Sequence, residues 1–96
     1  MSGLVFEWDA KKAASNLRKH GVSFEEALTV FADPLGAIHD DPDHSENEHR
    51  ELLVGHSRSD RLLIVSFTEL PKSVRIISAR VVTRQERRDY EETAQE

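Results

Sequence analysis

The stretch Val74–Tyr90, VRIISARVVTRQERRDY, joins an apolar run to a charged one, and that junction organises the reading of the whole chain. Val74, Ile76, Ile77, Ala79, Val81 and Val82 have the β-branched, partly consecutive pattern of a strand covered on both faces. Thr83 and Glu86 then form a T-x-x-E capping box. Hydroxyl and carboxylate each satisfy a free N–H of a first helical turn, so a helix opens there and runs to about Thr93. Its apolar content is only Tyr90 and Ala94, so a partner must stabilise it. Five of the nine arginines (Arg75, Arg80, Arg84, Arg87 and Arg88) fall in these seventeen residues, in a chain of formal charge −5. That local excess reads as an anion site, for phosphate groups. Strict alternation puts Arg75 and Arg80 on opposite faces, so at most one serves any one face. Arg84, Arg87 or Arg88, and Glu91 share a helical face, with Tyr90 on its flank.

Two apolar runs precede this stretch, Arg50–Gly55 and Arg61–Phe67, and the intervening connections are Ser57–Asp60 and Leu70–Ser73. Connections this short join antiparallel neighbours, so the runs read as a meander, with a further short strand at Leu35–His39. Leu62–Val65 is apolar on consecutive residues, as in a central strand. Nearer the N-terminus, Leu4–Trp8 reads as a strand and Asp9 as the N-cap of a helix. Ala10, Ala13, Ala14 and Leu17 form its apolar stripe, with Asn16 off it, and Arg18, Lys19, His20 and Gly21 close it. Ser23 and Glu26 make a second capping box, and Phe24, Ala27, Leu28 and Phe31 repeat the stripe until Asp33-Pro34. The short turn His20–Val22 folds the helices together, so both stripes face one sheet. The expected fold is a single α+β domain over residues 1–96, in the order β-α-α-β-β-β-β-α with a mainly antiparallel sheet.

Composition narrows the function. Without cysteine there is no disulfide framework and no thiolate metal site, which fits a reducing cytoplasm. No stretch is long and apolar enough for a membrane span or a signal segment, so no membrane association is expected. The acidic balance argues against whole-molecule attraction to nucleic acid; contact with RNA must come from a local patch. Asp40–Glu48, DDPDHSENE, carries no apolar residue and reads as a mobile solvated loop. With His39 and His49 it resembles a metal site in composition only. No H-x-x-x-H pair sits on a helix and no calcium-loop pattern is present, so neither metal nor cofactor is expected. Seven carboxylates between Asp33 and Glu51 face Arg50 alone, which leaves contact with a basic partner as an alternative use.

No nucleophile elbow or phosphate-binding glycine loop is present. Cleavage of RNA at the 2′-hydroxyl asks for less: a proton acceptor, a proton donor, and cations for the charge that builds on phosphorus. Arginine suits the last task because its fork binds two phosphate oxygens. The candidates are Arg75, Arg80 and Arg84, with Lys19, Arg50 and Arg61 as further phosphate contacts. Tyr90 orients the phosphate or stacks on a base. His20, at a helix C-terminus where the dipole favours its charged form, is a candidate to move a proton, as are Glu48 and His49.

FEWDAKKAASNLRKHGVSFEEALTVFADP, HRELLVGHS and RIISAR followed by T-x-x-E-R-R-x-Y-E together resemble the BrnT family of bacterial type II toxins, from Phe6 to about Glu92. KHGVSFEEA at Lys19–Ala27 and RIISAR at Arg75–Arg80 are its most specific parts. The resemblance implies a compact RelE-like fold and an endoribonuclease activity that halts translation. It also implies neutralisation by a BrnA-like antitoxin with a ribbon-helix-helix domain. The pair would form a heterotetramer that represses its own operon, touching operator DNA through the antitoxin. RelE-type toxins place an arginine just after the last strand, six residues before a catalytic tyrosine, the relation in which Arg84 and Tyr90 stand. The lysine-rich central strands of ribosome-dependent relatives are absent, which favours action on free RNA. Two other readings remain: a non-catalytic binding module of a repressor complex, and a gyrase-targeting toxin on the same scaffold.

Overall fold

The computed structural model describes residues 4–41 and 49–94. Asp43, His44, Glu46 and Glu48, the centre of the acidic stretch, lie outside them. The chain runs through β1 (Phe6–Glu7), α1 (Ala10–His20), α2 (Phe24–Thr29), a 3-10 turn (Val30–Ala32), β2 (Ala37–Asp40), β3 (Glu51–His56), β4 (Leu62–Glu69), β5 (Val74–Val81) and α3 (Arg84–Ala94). The order is the expected one. The strands form one sheet, β1-β5-β4-β3-β2, antiparallel throughout except for the β1–β5 pair.

Each helix begins where a side chain meets its first free N–H groups. Asp9 accepts from the amides of Lys11 and Lys12, and Ser23 from that of Glu26. Thr83 and Glu86 exchange the two bonds of a capping box, Glu86 N to Thr83 Oγ1 at 3.1 Å and Thr83 N to Glu86 Oε1 at 2.8 Å. Gly21 ends α1 at φ 67°, where a Cβ would be strained, and its N–H returns to Leu17 O.

The sheet is covered on both faces. On one, α1 and α2 bury Val22, Phe24, Ala27 and Val30 against Leu53, Leu63, Val65, Phe67, Ile76 and Ala79. Phe6, Phe31 and Phe67 follow one another there at centroid spacings of 5.0 and 5.1 Å. On the other face, α3 lays Tyr90 over Val54, Leu62, Ile64 and Val82. Central β4 is therefore buried on consecutive residues, Leu62 and Leu63 alike.

Two expectations are corrected. The buried residue of α1 is Asn16, whereas Leu17 is 51% exposed and Ala10 and Ala14 face outward. Asn16 Nδ2 donates to Val22 O (2.9 Å) and Ala79 O (2.7 Å), and its Oδ1 accepts from Ala79 N at 3.1 Å. One amide thus ties α1, the turn after it and β5 together, and a hydrogen-bonded polar group outweighs the alanine stripe in setting the packed face. The second correction concerns parity. β5 carries a bulge: Ile76 pairs with Phe67 but Ser78 with Ser66, so Ile77 is an extra residue. Arg75 pairs with Thr68 and Arg80 with Ile64, positions of equal parity on β4, so the two arginines stand on the same side of the sheet. That side is the one carrying α3.

Candidate active site

Beside α3 the sheet leaves a shallow depression of about 250 Å³, lined by Arg50, Arg80, Ser66, Ser78, Asp41 and Ile64 among others. Ser66 and Ser78 are cross-strand partners on β4 and β5, so their hydroxyls lie side by side on the floor. Arg50, just before β3, and Arg80, near the end of β5, approach from the rim. Two guanidinium groups over a hydroxylated floor make a surface that attracts and orients a phosphodiester.

Arg80 is held in place rather than left to swing. Its Nη1 and Nη2 donate to the two carboxylate oxygens of Glu86 at 2.8 and 2.9 Å. The Arg80 pair, with help from the Thr83 amide and hydroxyl, holds the Glu86 carboxyl down at about 2, and the carboxylate in turn raises Arg80. The pair neutralises part of the Arg80 charge and leaves Nε without a partner among the described residues.

A second hollow of about 400 Å³ adjoins the first through Ile64 and is lined by Tyr90, Val54, Leu35, Ala37, His39 and Asp89 among others. Tyr90 is fixed at both ends. Its hydroxyl donates to Leu35 O at 3.1 Å, and its ring meets that of His56 edge-on with centroids 5.9 Å apart. Burial and the Asp33 charge push the phenol up, so it stays a neutral donor. Asp33 organises this corner: its Oδ2 accepts from His56 N at 2.7 Å and lies 3.7 Å from His56 Nδ1, and its Oδ1 accepts from Leu35 N at 2.9 Å. These bonds hold the Asp33 carboxyl below the usual range against the opposing effect of its burial. Gly55 is needed there, since a Cβ would come within 2.9 Å of Asp33 Oδ2 and 3.1 Å of Val30.

The other candidate residues sort by face. Arg84, at the start of α3, is exposed, and its side chain makes no hydrogen bond or ion pair among the described residues. Arg75 shares the Arg80 side by register and is bound to Glu7, Nη2 to Oε2 at 3.0 Å, toward the β1 edge. His49 precedes Arg50 in the chain but pairs at 3.4 Å with Asp40, whose register with Glu51 puts it on the Leu53 side of the sheet, opposite Arg50. Lys19 and His20 are exposed on the helical layer, across the sheet from Arg80 and Tyr90. Arg61 is committed elsewhere: it donates to Glu26 from Nε (3.0 Å) and Nη2, and to Gly21 O (3.0 Å), while Ser57 Oγ adds 2.7 Å to the same carboxylate. It clamps α2 to the β3–β4 turn. Asp40, His49 and Glu51 place ligand-type atoms within 4.8 Å of one another, a geometry that three exposed or half-exposed polar groups reach without an ion.

Sequence reasoning passed over His56, Asp33 and the serine pair. The alternation of HRELLVGHS carries a weak signal for His56: it shares parity with Leu52 and Val54, so it belongs to the α3 side.

Residues 8–86 match the model of a family described as the ribonuclease toxin, BrnT, of type II toxin–antitoxin systems. The fold is similar to a 1.1 Å crystal structure of the Brucella abortus ribonuclease toxin BrnT, with a TM-score of 0.62 and 19% identity. That likeness covers 85% of this chain and all of the other. No curated protein matches the sequence significantly.

Proposed function

This chain belongs to the BrnT family of ribonuclease toxins of type II toxin–antitoxin systems, and from that premise we propose that it is a metal-independent endoribonuclease whose scissile phosphate sits between Arg50 and Arg80. The observation that carries the placement is that both arginines line one depression above the Ser66–Ser78 pair. In this reading the 2′-oxygen of the substrate attacks phosphorus as its proton passes to the carboxylate of Asp41, which lines the same depression. The P–O5′ bond breaks, and the departing oxygen takes a proton from His39, which pairs with Leu52 and so stands on the same side of the sheet. The products are a 2′,3′-cyclic phosphate and a 5′-hydroxyl, and no redox or metal step is needed for the balance. Arg50 and Arg80 stabilise the charge that grows on the phosphoryl oxygens, and Arg84, exposed at the start of α3, binds a flanking phosphate. Tyr90 supports the nucleoside rather than the phosphate, because its hydroxyl is already engaged by Leu35 O.

The partner in this reading is a BrnA-like ribbon-helix-helix antitoxin that neutralises the toxin in a heterotetramer and carries the pair to operator DNA. Apolar surface supports a covering protein: Leu4 and Ile38, 64% and 56% exposed, line one cleft beside Phe31 and Phe67. No helix among the described residues is long and apolar enough to cross a membrane.

Induction of the chain alone, followed by RNA sizing, tests the function. Growth arrest with fragmented RNA bearing 5′-hydroxyl ends is the expected result. Arrest with intact RNA and damaged DNA would point to gyrase, and no arrest to a binding module; either would overturn the nuclease reading.

A further inference from the structure

The hollow beneath α3 differs in chemistry from the arginine depression beside it. Ala37, Val54 and Ile64 supply an apolar floor from three neighbouring strands, and Leu35 and the Tyr90 ring supply walls. Among the described residues no lysine or arginine lines it. Its two carboxylates are Glu86, whose oxygens are both engaged by Arg80, and Asp89. Asp89 is exposed at the mouth, and Gln85 Nε2 donates to its Oδ1 at 2.8 Å, which leaves Oδ2 without a partner among the described residues. Apart from His39 on the edge strand, such a site offers a phosphate no cation; a flat, largely apolar group with hydrogen-bond donors on its edge is welcomed.

The position narrows the occupant. Ile64 lines both hollows, so a nucleotide whose phosphate lies between Arg50 and Arg80 has this hollow within reach of its own base. Unpaired RNA bases are recognised in this way, by aromatic and apolar walls and by hydrogen bonds to the Watson–Crick edge. A carboxylate presents adjacent acceptors. Guanine alone among the four bases presents adjacent donors there, N1–H and the N2 amino group. Adenine and cytosine set an acceptor nitrogen beside their amino group, and uracil flanks N3–H with two carbonyls, so each turns an acceptor toward the carboxylate.

Resting on the nuclease reading above, we propose that the hollow beneath α3 is a nucleobase subsite that selects guanine next to the cleaved bond, with the Asp89 carboxylate reading N1–H and the N2 amino group. Tyr90 and Ile64 hold the base, and Asp89 sets its identity.

The test is the distribution of cleavage sites on an unstructured RNA of mixed sequence. Guanine is expected at one fixed position beside the cut, favoured about tenfold or more over the other bases. Inosine at that position, which lacks the N2 amino group, is cut less well, and Asp89→Asn, a surface change that leaves the fold intact, collapses the guanine-to-other ratio. Cleavage by the wild-type protein without base preference, or a preference that persists in Asp89→Asn, overturns the subsite while leaving the nuclease intact. If no RNA is cut, the nuclease reading fails on its own. The subsite is then judged by titration with guanosine, which shifts the amide resonances of Asp89 and Tyr90 if the subsite exists and leaves them unmoved, as cytidine does, if it does not.

Discussion

Arg80 and Glu86 meet through two parallel hydrogen bonds of 2.8 and 2.9 Å, and the same Glu86 oxygen at 2.8 Å from the Thr83 amide caps α3. One carboxylate therefore fixes the arginine at the rim of the depression and the helix that carries Tyr90. Disturbing Glu86 should be felt in stability and in the site together.

The pH dependence of that pair has a definite sign. The Glu86 carboxyl sits at about 2 in the fold against an ordinary 4.5, so its contribution is complete above about pH 5 and drains away as the pH falls through 4.5 toward 2. Both side chains are about a third exposed, 39% for Arg80 and 33% for Glu86. Solvent screening then limits the contribution to about 1 kcal/mol. Glu86→Gln should lower the urea midpoint at pH 7, and its deficit against wild type should shrink as the pH is taken below 4.

Asn16 is the internal brace. Replacing it with leucine leaves Ala79 N–H and two carbonyls buried without partners, which should cost about 2–3 kcal/mol. Thermal melting should fall by about 10 °C or more. If the folded protein melts within a degree of wild type, the brace is not what holds α1 to β5.

Arg61 supplies the converse case. Because its guanidinium is bound to Glu26 and Gly21 O, Arg61→Ala should destabilise the protein by about 1–3 kcal/mol while RNA cleavage per folded molecule stays at the wild-type level. A loss of cleavage without loss of stability would return Arg61 to the site.

Tyr90 separates two roles for an aromatic. Tyr90→Phe removes only the bond to Leu35 O and should cost about 0.5–1.5 kcal/mol, with cleavage retained. Tyr90→Ala empties the hollow wall and should reduce cleavage. Equal loss in both variants would mean that the hydroxyl works on the phosphate after all.

Much of this architecture was legible in one dimension because its causes are local. The caps at Asp9, Ser23 and Thr83 join residues two or three apart, and the brief connections Ser57–Asp60 and Leu70–Ser73 allow only antiparallel neighbours. What escaped depends on partners far along the chain. The bulge at Ile77 exists only relative to β4, and it turns the parity argument for Arg75 and Arg80 around. Asn16 meets Ala79 across sixty-three positions, and Arg61 meets Glu26 across thirty-five. A polar residue among alanines and an arginine at a strand end give no sign of such partners by themselves. Arg80 stood out as a candidate in the local excess of arginine, and Arg84 and Tyr90 through their spacing in the family resemblance; the fold places Arg80 and Tyr90 on one side of the sheet. His20, proposed on the strength of its helix dipole, stands on the other.

The placement of the scissile phosphate is tested most directly by measuring cleavage of single-stranded RNA in EDTA by purified wild type, Arg50→Ala, Arg80→Ala and His20→Ala, each confirmed folded by circular dichroism. Loss of either rim arginine should lower kcat/KM by about a hundredfold, while His20→Ala should cut as wild type does. Undiminished cleavage by an Arg50→Ala, Arg80→Ala double variant, or loss of cleavage in His20→Ala, would contradict a phosphate site on the α3 side of the sheet.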